Sequence, residues 1–464
     1  MFGGVGKSAG WATILVAGGM VLGGSVSANA ADFGGDCCAD LEERVAELEA
    51  TTARKGNRKV SLTIYGKVNQ AVMWWDDGAE DNAYIVTNDA SRSRFGFKGK
   101  AKITPDLSAG FRIEIGVRTA NSKRNNQYDP QALDESGFDV RHAWWNLKSK
   151  KYGKIQVGHT PTASQAITEI NLAGTNDVGK FSDVEDSGGG FYLRAKGQAL
   201  APEGDGLQWR RLIGRRGSAP GEGDRREAVL YETPTYAGFS LSAAWGGDDF
   251  WDMGLRFKEK FGSIKIAAGI SYMEVTDISD DGAIHGCPVD ELGPAGGTLD
   301  SRPKCRGVGG SISILDTHSG LYGNFASGQM WDEEAKNVAD FAGTNVDDTY
   351  TFYAAEAGIQ QKWTHLGKTT VFGQYYHYNG GGATQEIDGA DPINTFAGDS
   401  YIYSSEVESW GVGVMQKIDA ADMKLYALYR HFTFDLELAK AGVVQDSAPL
   451  DDFDVIMSGA VIKF

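Results

Sequence analysis

The chain has 464 residues, with 62 Gly but only 11 Pro, 11% aromatic side chains and a net charge of −17, at a mean hydropathy of −0.32. An acidic balance argues against non-specific nucleic-acid binding, which rests on a basic face, and a chain this polar is no bundle of membrane helices, each of which needs about 18 or more consecutive apolar residues. A large membrane β-barrel stays open, because only every second residue of its strands must be apolar and one barrel absorbs such a length as a single domain.

Residues 1–30 read as an export signal. Lys7 supplies the positive start, 11–22 the short apolar core and Ala28-Asn29-Ala30 the small-residue end, with cleavage expected between Ala30 and Ala31. Losing Lys7 takes the net charge to −18. Gly4-Val5-Gly6-Lys7-Ser8 imitates the end of a phosphate-binding loop, but Met1 stands where that pattern needs its first Gly. Gly6-Lys7-Ser8-Ala9-Gly10 matches a hydrolase nucleophile elbow in letters only. Both lie inside the signal and lack the strand–turn–helix context that gives such motifs meaning. The next segment, 31–59, is expected on the periplasmic side. Cys38, Leu41, Val45, Leu48 and Thr52 follow an a/d rhythm there. Barely two heptads are too short to be stable alone, so a small coiled coil of several copies and a polar linker are both open.

From about residue 60 the chain alternates. In 107–119, Phe111, Ile113, Ile115 and Val117 share one face while Arg112, Glu114 and Arg118 share the other. In 91–103, Arg92, Arg94, Lys98, Lys100 and Lys102 alternate with Ser93, Phe95, Phe97, Gly99, Ala101 and Ile103. Leu62, Ile64 and Val68 oppose Lys67 and Asn69, and Ile264, Ile266, Ala268, Ile270 and Tyr272 oppose Lys265 and Ser271. A barrel would turn the greasy face to lipid and the charged face to a wet lumen. The segments 404–417 and 423–436 have mixed faces.

The connections come in two sizes. Tight turns are expected at 104–106, 151–153, 234–238, 261–262, 365–367 and 420–422, and longer loops around 76–90, 120–137, 160–225, 277–307, 331–348, 379–400 and 439–450. Counting segments from 61 to 464 gives sixteen, an even number as closure with both ends on one side requires. The domain 60–464 is therefore expected to be all-β, a closed antiparallel transmembrane barrel whose last segment, 451–464, pairs with the first so that no sheet edge is left in lipid. Exported cysteines can form disulfides, and Cys287 and Cys305 bracket a Gly/Pro-rich loop as the candidate pair. No cysteine spacing or histidine pair suggests a metal site, and no nucleophile–base constellation suggests catalysis, so neither a cofactor nor an enzyme is expected.

Leu62-Thr63-Ile64-Tyr65-Gly66-Lys67 is similar to the first strand of general-diffusion porins of the Gram-negative outer membrane, Ser93-Arg94-Phe95-Gly96-Phe97-Lys98-Gly99 resembles their second, and terminal Phe464 resembles their assembly signal. The stretch 36–59 looks more specifically alphaproteobacterial. This resemblance implies homotrimers in outer-membrane lipid, passage of small hydrophilic solutes and ions, and a pore narrowed by an inward-folded third external loop, here about 160–224. It also implies a basic wall facing an acidic loop. Lys67, Arg94 and Arg141 fall on that wall by motif, Arg92 and Arg112 by alternation; Asp177, Asp183, Glu185 and Asp186 are the acidic candidates. The sequence departs from the pattern at Glu232, where a basic residue is common, and at Arg210, Arg211, Arg215 and Arg216 late in the loop. Ion preference is left open. Rival readings are a channel selective for oligosaccharide or phosphate and a secreted soluble carbohydrate-binding β-protein. Trp144-Trp145 and Tyr375-Tyr376 fit interfacial girdles better than a sugar track.

Overall fold

The computed structural model describes residues 60–464 apart from 133–136, 214–218, 248, 277–303, 334, 336–338, 340–341 and 381–385. The signal and its Ala30/Ala31 junction, the heptad segment, Arg215, Arg216 and Cys287 lie outside the described residues. Cys305 is disulfide-bonded.

The described residues form a single antiparallel sheet of nineteen segments. In chain order these are β1 (Ser61–Asp76), β2 (Asp81–Thr87), β3 (Arg94–Lys102), β4 (Leu107–Val117), β5 (Phe138–Ser149), β6 (Gly153–Pro161), β7 (Arg225–Glu232), β8 (Phe239–Gly246), β9 (Trp251–Phe261) and β10 (Ile264–Val275). They continue with β11 (Cys305–Asp316), β12 (Leu321–Asp332), β13 (Thr349–Thr364), β14 (Gly367–Asn379), β15 (Glu386–Ile387), β16 (Ser400–Ile418), β17 (Met423–Lys440), β18 (Val443–Asp446) and β19 (Phe453–Lys463). β2 and β3 pair with the upper and lower halves of β1, so together they make one stave. β15 and β18 only widen the rims of β16 and β17. That leaves sixteen staves, and the β1–β19 ladder, from Lys67↔Lys463 to Asp76↔Asp454, closes the ring.

Alternation decides which way each side chain points. Ile64, Val68, Val72, Ile270, Val371 and Val412 stand exposed on the outer wall. That apolar band suits lipid, and it argues against the soluble reading. Period two also corrects the paired aromatics: Trp145 and Tyr375 face outward, whereas Tyr376 is buried inside and Trp144 lines a lumenal cavity with Arg112, Lys154 and Arg256. Adjacent strand residues cannot both join a girdle. The expected first loop at 76–90 is instead a tight hairpin at 77–80 followed by β2. The step from β8 to β9 and a turn at 317–320, neither anticipated, complete the alternation of rims.

The lumen is not uniformly wet. The inner faces of β1 and of β12 to β19 carry many apolar side chains, with Met73, Trp75, Phe352, Phe432, Phe453 and Met457 all buried beside polar groups such as Glu356, Gln374 and Arg430. The described residues of the connection between β6 and β7, 162–213 and 219–224, supply Phe181, Val184, Phe191, Trp209 and Leu212 to the same core. Trp209 sits 4.7 Å from Phe432, and Phe191 sits 4.8 Å from Trp75 and 5.0 Å from Phe453, ring centre to ring centre. This covering explains the mixed faces of β16 and β17. Their inner residues contact loop rather than water, so Val407, Leu428 and Phe432 are buried there beside Ser405, Ser409 and Arg430.

Trp209 is 1% exposed and its indole N–H has no partner, so its contribution is packing alone. Trp209→Ala is expected to cost about 3–5 kcal/mol, read as a lower denaturant midpoint of the folded barrel in detergent. An unchanged midpoint would mean that the loop is not anchored there.

Candidate functional site

The third external loop crosses the barrel interior by a path of polar contacts. Asp252 of β9 accepts from the amides of Ala163 and Ser164 at 3.0 and 2.7 Å. The amides of Ile170 and Leu172 donate to Ser311 and Ser313 of β11 at 3.2 and 2.9 Å. Glu356 of β13 accepts from Asn171 and Thr175, and Gln374 of β14 donates to the Gly179 carbonyl at 3.0 Å. Buried Arg430 of β17 then donates to the carbonyls of Lys180 and Val184 and to Ser187 Oγ. Each contact satisfies loop backbone or a buried polar side chain that would otherwise lose water without replacement.

Two local irregularities turn charge toward this loop. A 3₁₀ turn, Asp89–Ser91, interrupts the stave between β2 and β3, and Asn88 caps it, accepting from the Ala90 amide at 3.0 Å. The interruption carries Asp89, Ser91 and Arg92 inward. In β5 a bulge opposite Glu114/Ile115 leaves one extra residue, so the consecutive Arg141 and His142 are both buried on the lumenal side.

The basic wall is organised around Glu114, whose carboxylate is wholly buried. Arg112, Arg141 and Arg94 lie 2.5, 3.1 and 3.5 Å from it, and the Tyr65 hydroxyl donates to it at 2.9 Å. Arg92 pairs with Asp89 at 2.9 Å and with Asp139 at 3.7 Å. Lys67 reaches the loop itself and contacts Asp177 at 3.2 Å. Asp177 also holds Lys424 of β17 and Lys463 of β19, both at 2.7 Å. One loop carboxylate thus ties the three strands at the closing seam, and those cations hold it well below the usual carboxylate range despite its burial.

The other acidic candidates, Asp183, Glu185 and Asp186, form one cluster with Glu169. Lys180 lies 2.8 Å from Glu169, 2.7 Å from Asp183 and 3.6 Å from Asp186, and Lys123 of the second external loop lies 3.0 Å from Glu185 and 3.6 Å from Asp186. Four carboxylates therefore share two ammonium groups. Glu185 Oε2 and Asp186 Oδ2 accept no hydrogen bond. Burial raises Asp186 well above the carboxylate range and raises Glu222, next along the loop, in the same way. Burial, opposed by Lys180 and reinforced by Asp183, pushes Glu169 up to about 7.

All nine charged side chains singled out in the sequence line one cavity of about 430 Å³. Its described lining holds eight basic and eight acidic side chains. Of the latter, Asp89, Glu169, Glu222 and Asp224 were missed, as were Lys123, Lys180 and Arg225 among the bases. Arg225 opens β7 and was within reach of an alternation argument, whereas the turn that interrupts the stave took Asp89 out of it. The loop residues had no period to betray them. Arg210 and Arg211 stand apart from this lining, and Glu232 pairs with Lys154 at 3.3 Å.

A closed transmembrane barrel with a charged cavity inside its lumen defines a membrane channel. The family model of the Gram-negative porins matches residues 12–436, and the chain belongs to that family, in the outer membrane. It is 25% identical to outer membrane porin protein 32 of Delftia acidovorans over 193 residues, which is 41% of this chain and 44% of that one, so the match spans less than half of the curated relative. The anion-selective porin from Comamonas acidovorans shares the fold at 15% identity and TM-score 0.51, over 87% of this chain and 100% of that one. OmpT, an outer membrane protein of Vibrio cholerae, superposes with TM-score 0.48 at 12% identity, over 88% of this chain and 99% of that one.

Raising the pH through 7 ionises Glu169 and adds negative charge beside the basic wall, because its proton leaves a neutral acid. The potassium-to-chloride permeability ratio is therefore expected to rise between pH 6 and pH 8, and Glu169→Gln to remove that step. Zero-current potentials in a KCl gradient measure both. A step of the same size in the Gln variant would assign it to another group.

Proposed function

We propose that this porin is a passive channel for small hydrophilic solutes and ions, catalyses nothing, and carries a weak preference for anions. The observation behind this reading is the single cavity in which Lys67, Arg92, Arg94, Arg112 and Arg141 face the carboxylates of the third loop. Opposed charges across a narrow gap set up a transverse field that orders water and favours polar solutes, while apolar solutes must displace that water. The lining is formally balanced, so protonation decides its sign. Burial keeps Asp186 and Glu222 toward their neutral forms, whereas guanidinium groups stay charged. The wall then outweighs the loop near neutral pH.

The same reading takes the working unit as a homotrimer, delivered by the 1–30 export signal and embedded in outer-membrane lipid. Single-channel recording of the purified protein in a planar bilayer tests it. Expected are stepwise openings in groups of three, linear current–voltage curves, no block by sugars, and a zero-current potential of the sign for chloride preference at pH 7. Saturable block by one sugar or by phosphate would favour a solute-selective channel instead. Folded protein without conductance would overturn the channel reading.

A further inference from the structure

We propose that His377, Glu406 and Glu408 form a binding site for one divalent first-row transition cation of the zinc type on the outer wall of the barrel. Strand register assembles the three. Glu408 stands directly opposite His377 across the β14–β16 ladder, and Glu406, two residues earlier in β16, keeps the same face one step toward the extracellular rim. One donor atom from each lies within 4.8 Å of the other two, with His377 Nε2 already 3.0 Å from Glu406 Oε1. Movements of about 1 Å bring such a trio to the separations that metal–ligand bonds of about 2.0–2.2 Å require.

Neighbouring groups hold the donors in place. Tyr353 of β13 stacks on the His377 ring at 4.9 Å and 11°, fixing its plane, and the Tyr375 hydroxyl donates to Glu408 Oε1 at 2.8 Å. Partners of this kind orient metal ligands and sharpen their affinity. Two carboxylates neutralise a divalent charge, and the imidazole nitrogen favours zinc-type ions over calcium or magnesium, which prefer oxygen ligands throughout. Three protein ligands leave a position open for water.

The location gives the site its character. Tyr353, Tyr375 and Trp410 are exposed on the same outer face, with Val371, Val412 and Val414 on the side toward the periplasm. The trio sits at the extracellular edge of that aromatic group, where a barrel meets the headgroups. A bound ion would link β14 to β16 there. It would also lie outside the conduction path, so this inference is separate from the proposed function.

Zinc binding to the folded full-length porin in a neutral detergent, by titration calorimetry, tests the assignment, with cobalt(II) absorption as a spectroscopic readout. One saturable equivalent per chain is expected. His377→Ala should weaken it at least tenfold and remove the cobalt bands, while single-channel conductance stays unchanged. Glu406→Gln should also weaken binding and serves where the histidine variant folds poorly. His431→Ala is the control, because His431 makes a separate pair with Asp454 at 2.9 Å. No saturable binding, an affinity untouched by His377→Ala and Glu406→Gln, or a loss caused by His431→Ala would each overturn the proposal.

Discussion

The structure depends on covering an apolar half-lumen. A sixteen-stave barrel leaves more interior than its wall side chains can fill, and β12 to β19 present Phe, Tyr, Met and Leu to that interior. Water against those side chains would oppose folding at about 25 cal/mol per Å². The loop 162–224 removes that contact by placing Trp209, Phe191 and Phe181 on them. The aromatic packing and the charged cavity are therefore one event. Burying the apolar residues of the loop fixes where its polar residues emerge, and they emerge opposite β3 to β5, the arginine-bearing part of the wall.

That arrangement also accounts for the unusual electrostatics. Glu169, Asp183, Glu185 and Asp186 belong to a loop whose other face is in the core, and their solvation is lost because the loop must pack. Lys180 and Lys123 replace part of it, but two cations cannot satisfy four carboxylates. Protons are the remaining means of neutralisation, which is why the carboxylates differ so widely, from Asp177, held ionised by three lysines, to Asp186, pushed toward its neutral form. The four arginines of the basic wall have no comparable freedom, since a guanidinium does not release its proton near neutrality.

These same facts explain what the sequence could and could not disclose. Period two marked Arg112 and Glu114 as inward and Ile113 and Ile115 as outward, and the placement follows from sterics alone. The stave number was legible because most turns carry their own Gly, Pro or Asp punctuation, although the connections after β8 and β11 were not placed. Period two was also misapplied: neighbouring aromatics such as Tyr375 and Tyr376 cannot share a face, and the mixed faces of β16 and β17 were the trace of an interior covered by loop. Within the loop no repeat operates. Asp177 at the seam and Lys180 among the acids owe their positions to contacts with β17, more than 240 residues away. The bulge that brings Arg141 and His142 to one side was likewise invisible, because an extra residue leaves no mark in a single sequence.

Alternation finally separates two chemistries carried by one strand. In β16, Ser405, Val407 and Ser409 are buried inside, while Glu406, Glu408 and Trp410 point outward, one residue apart. Carboxylates on the inner series would have joined the crowded charges of the lumen. On the outer series they meet His377 and Tyr375, whose hydroxyl donates to Glu408. Two carboxylates and an imidazole thus face one another at the outer edge of the barrel, the donor set of the proposed cation site.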